Sequence, residues 1–359
     1  FTVKQLGHYM RVKAPELRKL RKLKKRSIFI QRFLSDEEYF YIFLVKLNCR
    51  SAAWCCVMKF GLMIFQGGFT YPQIKEFWLE SERLGFDSVW VYDHLNDCLE
   101  GWTLISALAP LTEKIRFGLM VACNSYRHPP LLAKIASTLD IISNGRLEFG
   151  IGAGDAPREH ESYGYSYPKA SVRIEQLEEA LRVIKMIWTE DRPTYKGKYY
   201  SIKEAHNEPR PFQKPHPPIW IGSLSGKRLI SRVAALHADV YNVRAWNPAD
   251  FIQKMEVFKE SCRSVGRRYG EVEKTAHVDF AVAGTKSKID DKLAEYAKFR
   301  GIPVEEGKKV CLYGTPDMCV EKIKQYVDVG VQGLIFCFQP NKRMEDLQLL
   351  SEIIQQFKR

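Results

Sequence analysis

Residues 58–94 read MKFGLMIFQGGFTYPQIKEFWLESERLGFDSVWVYDH. Two apolar runs, Lys59–Phe65 and Ser88–Tyr92, have the length of strands. Between them Ile74, Phe77, Trp78 and Leu84 recur at helical spacing, with Pro72 in the first turn and Gly85 at the end. A strand, a helix and a second strand in this order make a parallel βαβ unit, because a crossover helix returns the chain to the same edge.

The same alternation continues outward. A second helix is expected near Thr103–Leu111, and a third strand over Ile115–Ala122. The next helix carries Leu132, Ile135, Leu139 and Ile142 and stops at Asn144-Gly145. Further strands are read at Leu147–Ile151, Ile219–Gly222, Asp239–Val243, Val278–Ala283 and Gly333–Phe338. A long helix, Ser171–Trp188, follows the fourth of the eight strands. Thr315-Pro316-Asp317 opens another with a cap, a proline and an acid, and a last helix covers 344–357. Eight strand–helix pairs are the number for a closed α/β barrel, the (β/α)8 or TIM-barrel architecture; a doubly wound sheet more often stops at five or six strands. Insertions near 189–217 and 285–312 interrupt the pattern and are expected to shape the substrate mouth.

The net charge of +13 is unevenly placed. Residues 1–57 hold 13 Lys/Arg against 4 Asp/Glu, whereas the remaining 302 residues carry only +4. A pI of 9.2 therefore gives no argument for a nucleic-acid or membrane partner of the barrel. Residues 1–57 form a basic N-terminal extension, in which Leu17, Leu20 and Leu23 fall at helical spacing among basic residues. Three readings stay open: a surface-binding amphipathic helix, a targeting segment, and an idle or spuriously translated extension. The last is preferred, because Met58-Lys59-Phe60-Gly61-Leu62 reads as a start running into the first strand. Nine scattered cysteines without a Cys-x-x-Cys pair fit reduced thiols and a cytoplasmic location.

In a barrel the chemistry sits just after the strands. After strand two come Asp93 and His94; an imidazole there can exchange a proton near neutral pH, with Asp93 either orienting it or capping the turn. After strand three come Val121, Ala122, Cys123 and Asn124, and after strand four Gly152, Ala153, Gly154 and Asp155. Glycines let a flat ligand approach the backbone, and Asp155 is either an acid–base group or a helix N-cap. Gly222, Ser223, Leu224, Ser225, Gly226 and Lys227 combine free amides, hydroxyls and a cation at a helix start, which suits a phosphate. Asn242, Val243 and Arg244 follow strand six. Cys123 has no histidine adjacent in sequence and reads as a structural thiol. No metal site is expected: Arg158-Glu159-His160-Glu161 lacks a known ligand spacing, and strand one ends in Phe65-Gln66-Gly67 without a His-x-His pair.

Several stretches together resemble the luciferase-like oxidoreductases. They are Gly85–His94, Leu99–Thr103, Arg116–Asn124, Tyr126–Pro129, Asp140–Gly154, Arg173–Trp188, Lys214–Gly222 and Leu312–Gly333, in the family's order. The resemblance implies a bacterial-luciferase-like barrel using coenzyme F420 or FMN, with a small-molecule substrate and a homodimeric assembly. The 123–129 stretch is more similar to the deazaflavin branch, which implies hydride transfer with F420. The alternatives are an FMN monooxygenase and a non-catalytic flavin-binding protein. By resemblance, His94 faces the cofactor's pyrimidine edge, and Met120-Val121 is a non-proline cis peptide bulging behind the ring. Ala122 and Asn124 then contact the ring, Gly152–Asp155 flank it and Gly222–Gly226 hold the phosphate. Asp155 departs from the aromatic residue of many relatives; some sugar-phosphate dehydrogenases of the group carry an acid there.

The charge partition makes one direct prediction. A chain beginning at Met58 should keep the stability and activity of the full chain, read by thermal melting and turnover; a large loss in either would make residues 1–57 part of the working protein.

Overall fold

The computed structural model describes residues 58–358, so the expectations about the basic extension lie outside the described residues. Eight parallel strands close on themselves. They are β1 (Lys59–Ile64), β2 (Ser88–Val91), β3 (Arg116–Leu119), β4 (Leu147–Gly152), β5 (Ile219–Ser223), β6 (Val240–Arg244), β7 (Glu273–Val282) and β8 (Gly333–Phe338). Each pairs with the next, and β8 returns to β1 with Gly333 opposite Lys59. The expected barrel is therefore observed.

The crossover helices are α1 (Tyr71–Arg83), α2 (Gly101–Leu108), α3 (Pro129–Ile142), α4 (Ala170–Thr189), α5 (Arg228–His237), α6 (Pro248–Ser264), α7 (Pro316–Asp328) and α8 (Met344–Gln355). Local chemistry accounts for their ends. At α1, the Thr70 N–H donates to Gln73 Oε1 at 2.9 Å, and Pro72 occupies the first turn. Ile74, Phe77 and Trp78 are buried against the sheet. At α6, Asn247 Oδ1 accepts the Asp250 amide at 3.0 Å.

Two hydrophobic layers result. Outside the barrel, Phe60, Trp78, Phe117, Phe149 and Trp188 belong to one cluster between strands and helices. Inside, Met63, Trp90, Met120, Trp220, Val240, Ile335 and Cys337 form a second cluster, with the Trp90 and Trp220 rings 4.5 Å apart. This filled interior makes the barrel a packed core and leaves only its upper rim for a ligand.

Several boundaries differ from the sequence reading. The third strand divides: Arg116–Leu119 is followed, after a cis peptide between Met120 and Val121, by Ala122–Cys123, which pairs with β4. β7 starts five residues earlier than expected, at Glu273, because polar Thr275, His277 and Asp279 are buried along it and break the apolar run. α5 begins at Arg228, so Gly222–Lys227 form the strand end and the turn before the helix. The 285–312 segment contains helices Ile289–Arg300 and Val304–Val310, and Cys311–Gly314 adds a further parallel strand beside β7. The 189–217 segment contains a small hairpin, Tyr195–Lys196 with Ser201–Ile202. Glu179 of α4 secures that hairpin by accepting the amides of Lys198, Tyr199 and Tyr200 at 3.1, 3.0 and 2.7 Å.

β3 and β4 approach unusually closely under the future site. A Cβ at Gly150 would lie 2.0 Å from the Leu119 carbonyl oxygen, and one at Gly118 would lie 2.1 Å from that of Glu148. Both obstacles are backbone, so neither can move aside cheaply. Gly150→Ala should destabilise the protein by about 2–4 kcal/mol in urea unfolding, as overpacking against a fixed partner does. A change below about 0.5 kcal/mol, the usual scatter of a harmless surface substitution, would show that the two strands can separate.

Candidate active site

A cavity of about 840 Å³ opens at the C-terminal ends of the strands. Its wall includes Met63 and Phe65 at the end of β1, Asp93 and His94 after β2, Met120–Cys123 after β3 and Gly152–Asp155 at the end of β4. Gly222–Ser225 complete it at β5, with Asn242, Arg244 and His277 from β6 and β7. Neither the 189–217 nor the 285–312 segment contributes a lining residue among the described residues, contrary to the expectation that they shape the mouth. The short helix Pro157–Ser162 and the first turn of α4 do so instead.

Val121 lies against a wall stripped of side chains. A Cβ at Gly152 would meet its Cγ2 at 2.6 Å, and a Cβ at Gly222 would meet its Cγ1 at 2.7 Å. Gly154 has φ +79°, and a Cβ there would meet Cys123 Sγ at 2.8 Å. The glycines thus make room for the Val121 side chain between β4 and β5. Val121 itself lines the cavity, whose size lies within the range of cofactor sites.

Asp93 and His94 are adjacent in sequence but serve different networks. Asp93 is buried; its carboxylate takes both Arg127 guanidinium nitrogens, at 2.7 and 3.0 Å, and the Cys123 amide at 2.8 Å. Arg127 also bonds Glu100, the N-cap of α2. Burial works against the Arg127 charge, yet the two carboxylates outweigh it and raise its pKa above the ordinary value. Asp93 therefore joins the loops and does not orient His94. That role falls to Glu159, whose Oε2 lies 2.7 Å from His94 Nδ1. Burial opposes the Glu159 charge, but the bonds from His94 and the Leu95 amide prevail and lower its pKa.

Asp155 is exposed at the cavity wall. It is not a helix cap, since Ala156 precedes Pro157–Ser162 without a side-chain cap bond. Three other candidates lie off the cavity. Asn124 donates from Nδ2 to Tyr200 Oη at 3.2 Å, while Gly226 packs under the Lys254 stem and Lys227 is exposed. Ser223 Oγ is engaged by the Gly226 amide at 2.9 Å.

The structure also brings in residues to which the sequence gave no site role. Arg173 of α4 is a buried cavity-wall guanidinium, lying 3.8 Å over the Tyr167 ring, and its Nε has no partner. His160 places Nε2 3.8 Å from Cys123 Sγ, so the thiol does have a histidine neighbour, 37 positions away. Burial pushes the Cys123 thiol up to about 12 and keeps it protonated. At the floor, His277 Nδ1 lies 2.7 Å from Asn242 Oδ1, and Asn242 in turn donates to Thr275 at 2.9 Å.

A profile described as luciferase-like monooxygenase matches residues 52–302, well over half of the chain. The chain belongs to the luciferase-like monooxygenase family. It is thus a luciferase-like oxidoreductase, in a family whose members depend on F420 or a flavin. An F420-dependent glucose-6-phosphate dehydrogenase of Microbacterium testaceum is 28% identical over 331 residues, covering 83% of this chain and 96% of that protein. One of Kineococcus radiotolerans is 24% identical, covering 78% and 90%. Among solved structures, an F420-dependent secondary alcohol dehydrogenase in complex with an F420-acetone adduct superposes with a TM-score of 0.74 at 19% identity, covering 83% of this chain and 98% of its own. The coenzyme F420-dependent tetrahydromethanopterin reductase of Methanopyrus kandleri gives 0.73 at 22%, covering 84% and 99%. These structural likenesses show the luciferase-like barrel.

No described helix is long and apolar enough to cross a membrane.

The buried floor histidine makes the site acid-sensitive. Burial, helped by the Arg244 and Lys254 charges, holds His277 down to about 3. The unfolded chain protonates this histidine near its ordinary pKa of ~6.5, whereas the folded chain does not. Stability from this residue is therefore full above ~6.5 and falls as the pH drops, by about 1.4 kcal/mol per unit. His237, also buried and lowered to about 3, adds a slope of the same sign. Urea midpoints measured from pH 7 to pH 5 should decline less steeply in His277→Gln; an unchanged slope would mean that folded His277 takes up the proton.

Proposed function

We propose that this chain transfers a hydride between an organic substrate and coenzyme F420, held in the cavity at the strand ends. One observation carries the reading: His94, the Val121 bulge and Asp155 all face one cavity. The F420-dependent names of the sequence relatives support it.

The residues fit such a cofactor. Gly152 and Gly222 make room for Val121, whose apolar side chain lines the cavity and can back a planar ring. Ser223–Ser225 and Arg173 lie on the wall and can hold the anionic tail, a task for which Lys227 is badly placed. Bound there, the deazaflavin supplies a two-electron hydride donor or acceptor, and the protein positions and tunes it. His94 handles the accompanying proton at Nε2, the ring nitrogen left free by Glu159. Asp155 supplies a carboxylate at the same wall for a substrate hydroxyl or a second proton.

Titration of the protein with F420 and with FMN, followed by absorbance, tests the cofactor. F420 should bind below ~0.1 mM and FMN more weakly. Binding of FMN alone would favour the oxygen-using monooxygenase reading, and binding of neither would end both. His94→Ala should slow single-turnover hydride transfer by about 100-fold or more while changing cofactor affinity by under about threefold. An unchanged rate would remove His94 from the chemistry, whereas cofactor binding without hydride transfer in the unsubstituted protein would favour a non-catalytic binding protein.

A further inference from the structure

We propose that Glu159 is a positioning residue that fixes the tautomer of His94, placing the proton on Nδ1 and the lone pair on Nε2 at the cavity. The catalytic consequence rests on the hydride-transfer reading above, whereas the tautomer does not.

The geometry is specific. Glu159 stands on the short helix Pro157–Ser162, 65 positions from His94, and is almost fully buried. Oε2 lies 2.7 Å from His94 Nδ1. Oε1 accepts the Leu95 amide and, at 3.3 Å, the Asn96 amide. Tyr163, at the end of the same helix, donates to the Leu95 carbonyl at 2.8 Å. The Tyr92 ring meets the imidazole edge-on at 4.9 Å between centroids. The His94 ring is thus held by Glu159 and Tyr92, and among the described residues its carboxylate partner is Glu159.

The chemistry follows from donor and acceptor counting. Backbone amides can only donate, so Oε1 must accept. An ionised carboxylate has no proton to give, so Oε2 also accepts and Nδ1 must carry hydrogen. The bonds that lower the Glu159 pKa keep it ionised at neutral pH. Neutral His94 then has one lone pair, on Nε2, which can take the hydroxyl proton of an alcohol as its carbon-bound hydride leaves for the redox cofactor. In the reverse direction, protonated Nε2 returns that proton to the carbonyl oxygen.

The substitution Glu159→Gln is nearly isosteric and tests this sharply. Its single carbonyl oxygen should stay with the Leu95 and Asn96 amides. Its NH₂ would then face His94 Nδ1, which must become an acceptor, so the tautomer should invert. The readout is a long-range ¹H–¹⁵N spectrum of the full, unliganded protein labelled at histidine, near pH 8, where imidazole is ordinarily neutral. His94→Asn assigns the signals. The unsubstituted protein should show protonated Nδ1 and bare Nε2 at His94, and Glu159→Gln the reverse. Turnover should fall about 10- to 100-fold in the variant, with the KM for cofactor changed less than about threefold. A proton on Nε2 in the unsubstituted protein would overturn the proposal whether or not the variant folds. An inverted tautomer with unchanged turnover would overturn the positioning role, leaving the cofactor titration to judge the broader function.

Discussion

The buried pairing of Asp93 with Arg127 is the joint on which the site depends. Its carboxylate also binds the Cys123 amide, immediately after the segment that carries Met120 and Val121. Its guanidinium reaches Glu100, which caps α2 by accepting the Trp102 and Thr103 amides. One ion pair therefore ties the ends of β2 and β3 to the start of α2. Removing either partner would strand a charge in a buried place, a defect of about 3–5 kcal/mol in comparable pairs. The backbone around Val121 is consequently held from the side, while the glycines of β4 and β5 admit its side chain.

A second joint runs across the cavity rim. Glu159 connects the loop after β2 to the short helix after β4, and it does so through the His94 imidazole and the Leu95 amide. The two joints divide the labour of neighbouring residues: Asp93 is committed to architecture and His94 to the cavity. The bonding pattern also explains why adjacency in sequence is a poor guide to partnership here. Side chains of Asp93 and His94 leave the same strand end in different directions, as successive residues of an extended chain do.

Much of the fold was legible because apolar alternation reports burial directly. β8 matches its expected ends, and β1, β2, β4 and β5 shift by a residue at most. The part of β7 before Val278 was hidden because Lys274, Thr275 and His277 are polar yet buried in a barrel whose interior is not wholly apolar. α6 has a sequence signal in Asn247-Pro248-x-Asp250, where Asn247 caps the first turn. In the site, the rule that chemistry follows the strands found His94, Val121, Gly152 and Asp155 on the cavity wall. It misplaced Asn124 and Lys227, whose side-chain direction depends on the local turn. It missed Glu159, His160 and Arg173 as partners, because their roles arise from contacts made across the fold.

The central claim is that a redox cofactor's ring lies against Val121 within reach of His94. A crystal structure of the protein soaked with F420 tests it most directly. Density for the deazaflavin is expected between the Val121 bulge and the His94 imidazole, with the phosphate-bearing tail toward Ser223–Ser225 and Arg173. Density elsewhere on the barrel, or a ring turned away from both Val121 and His94, would contradict it.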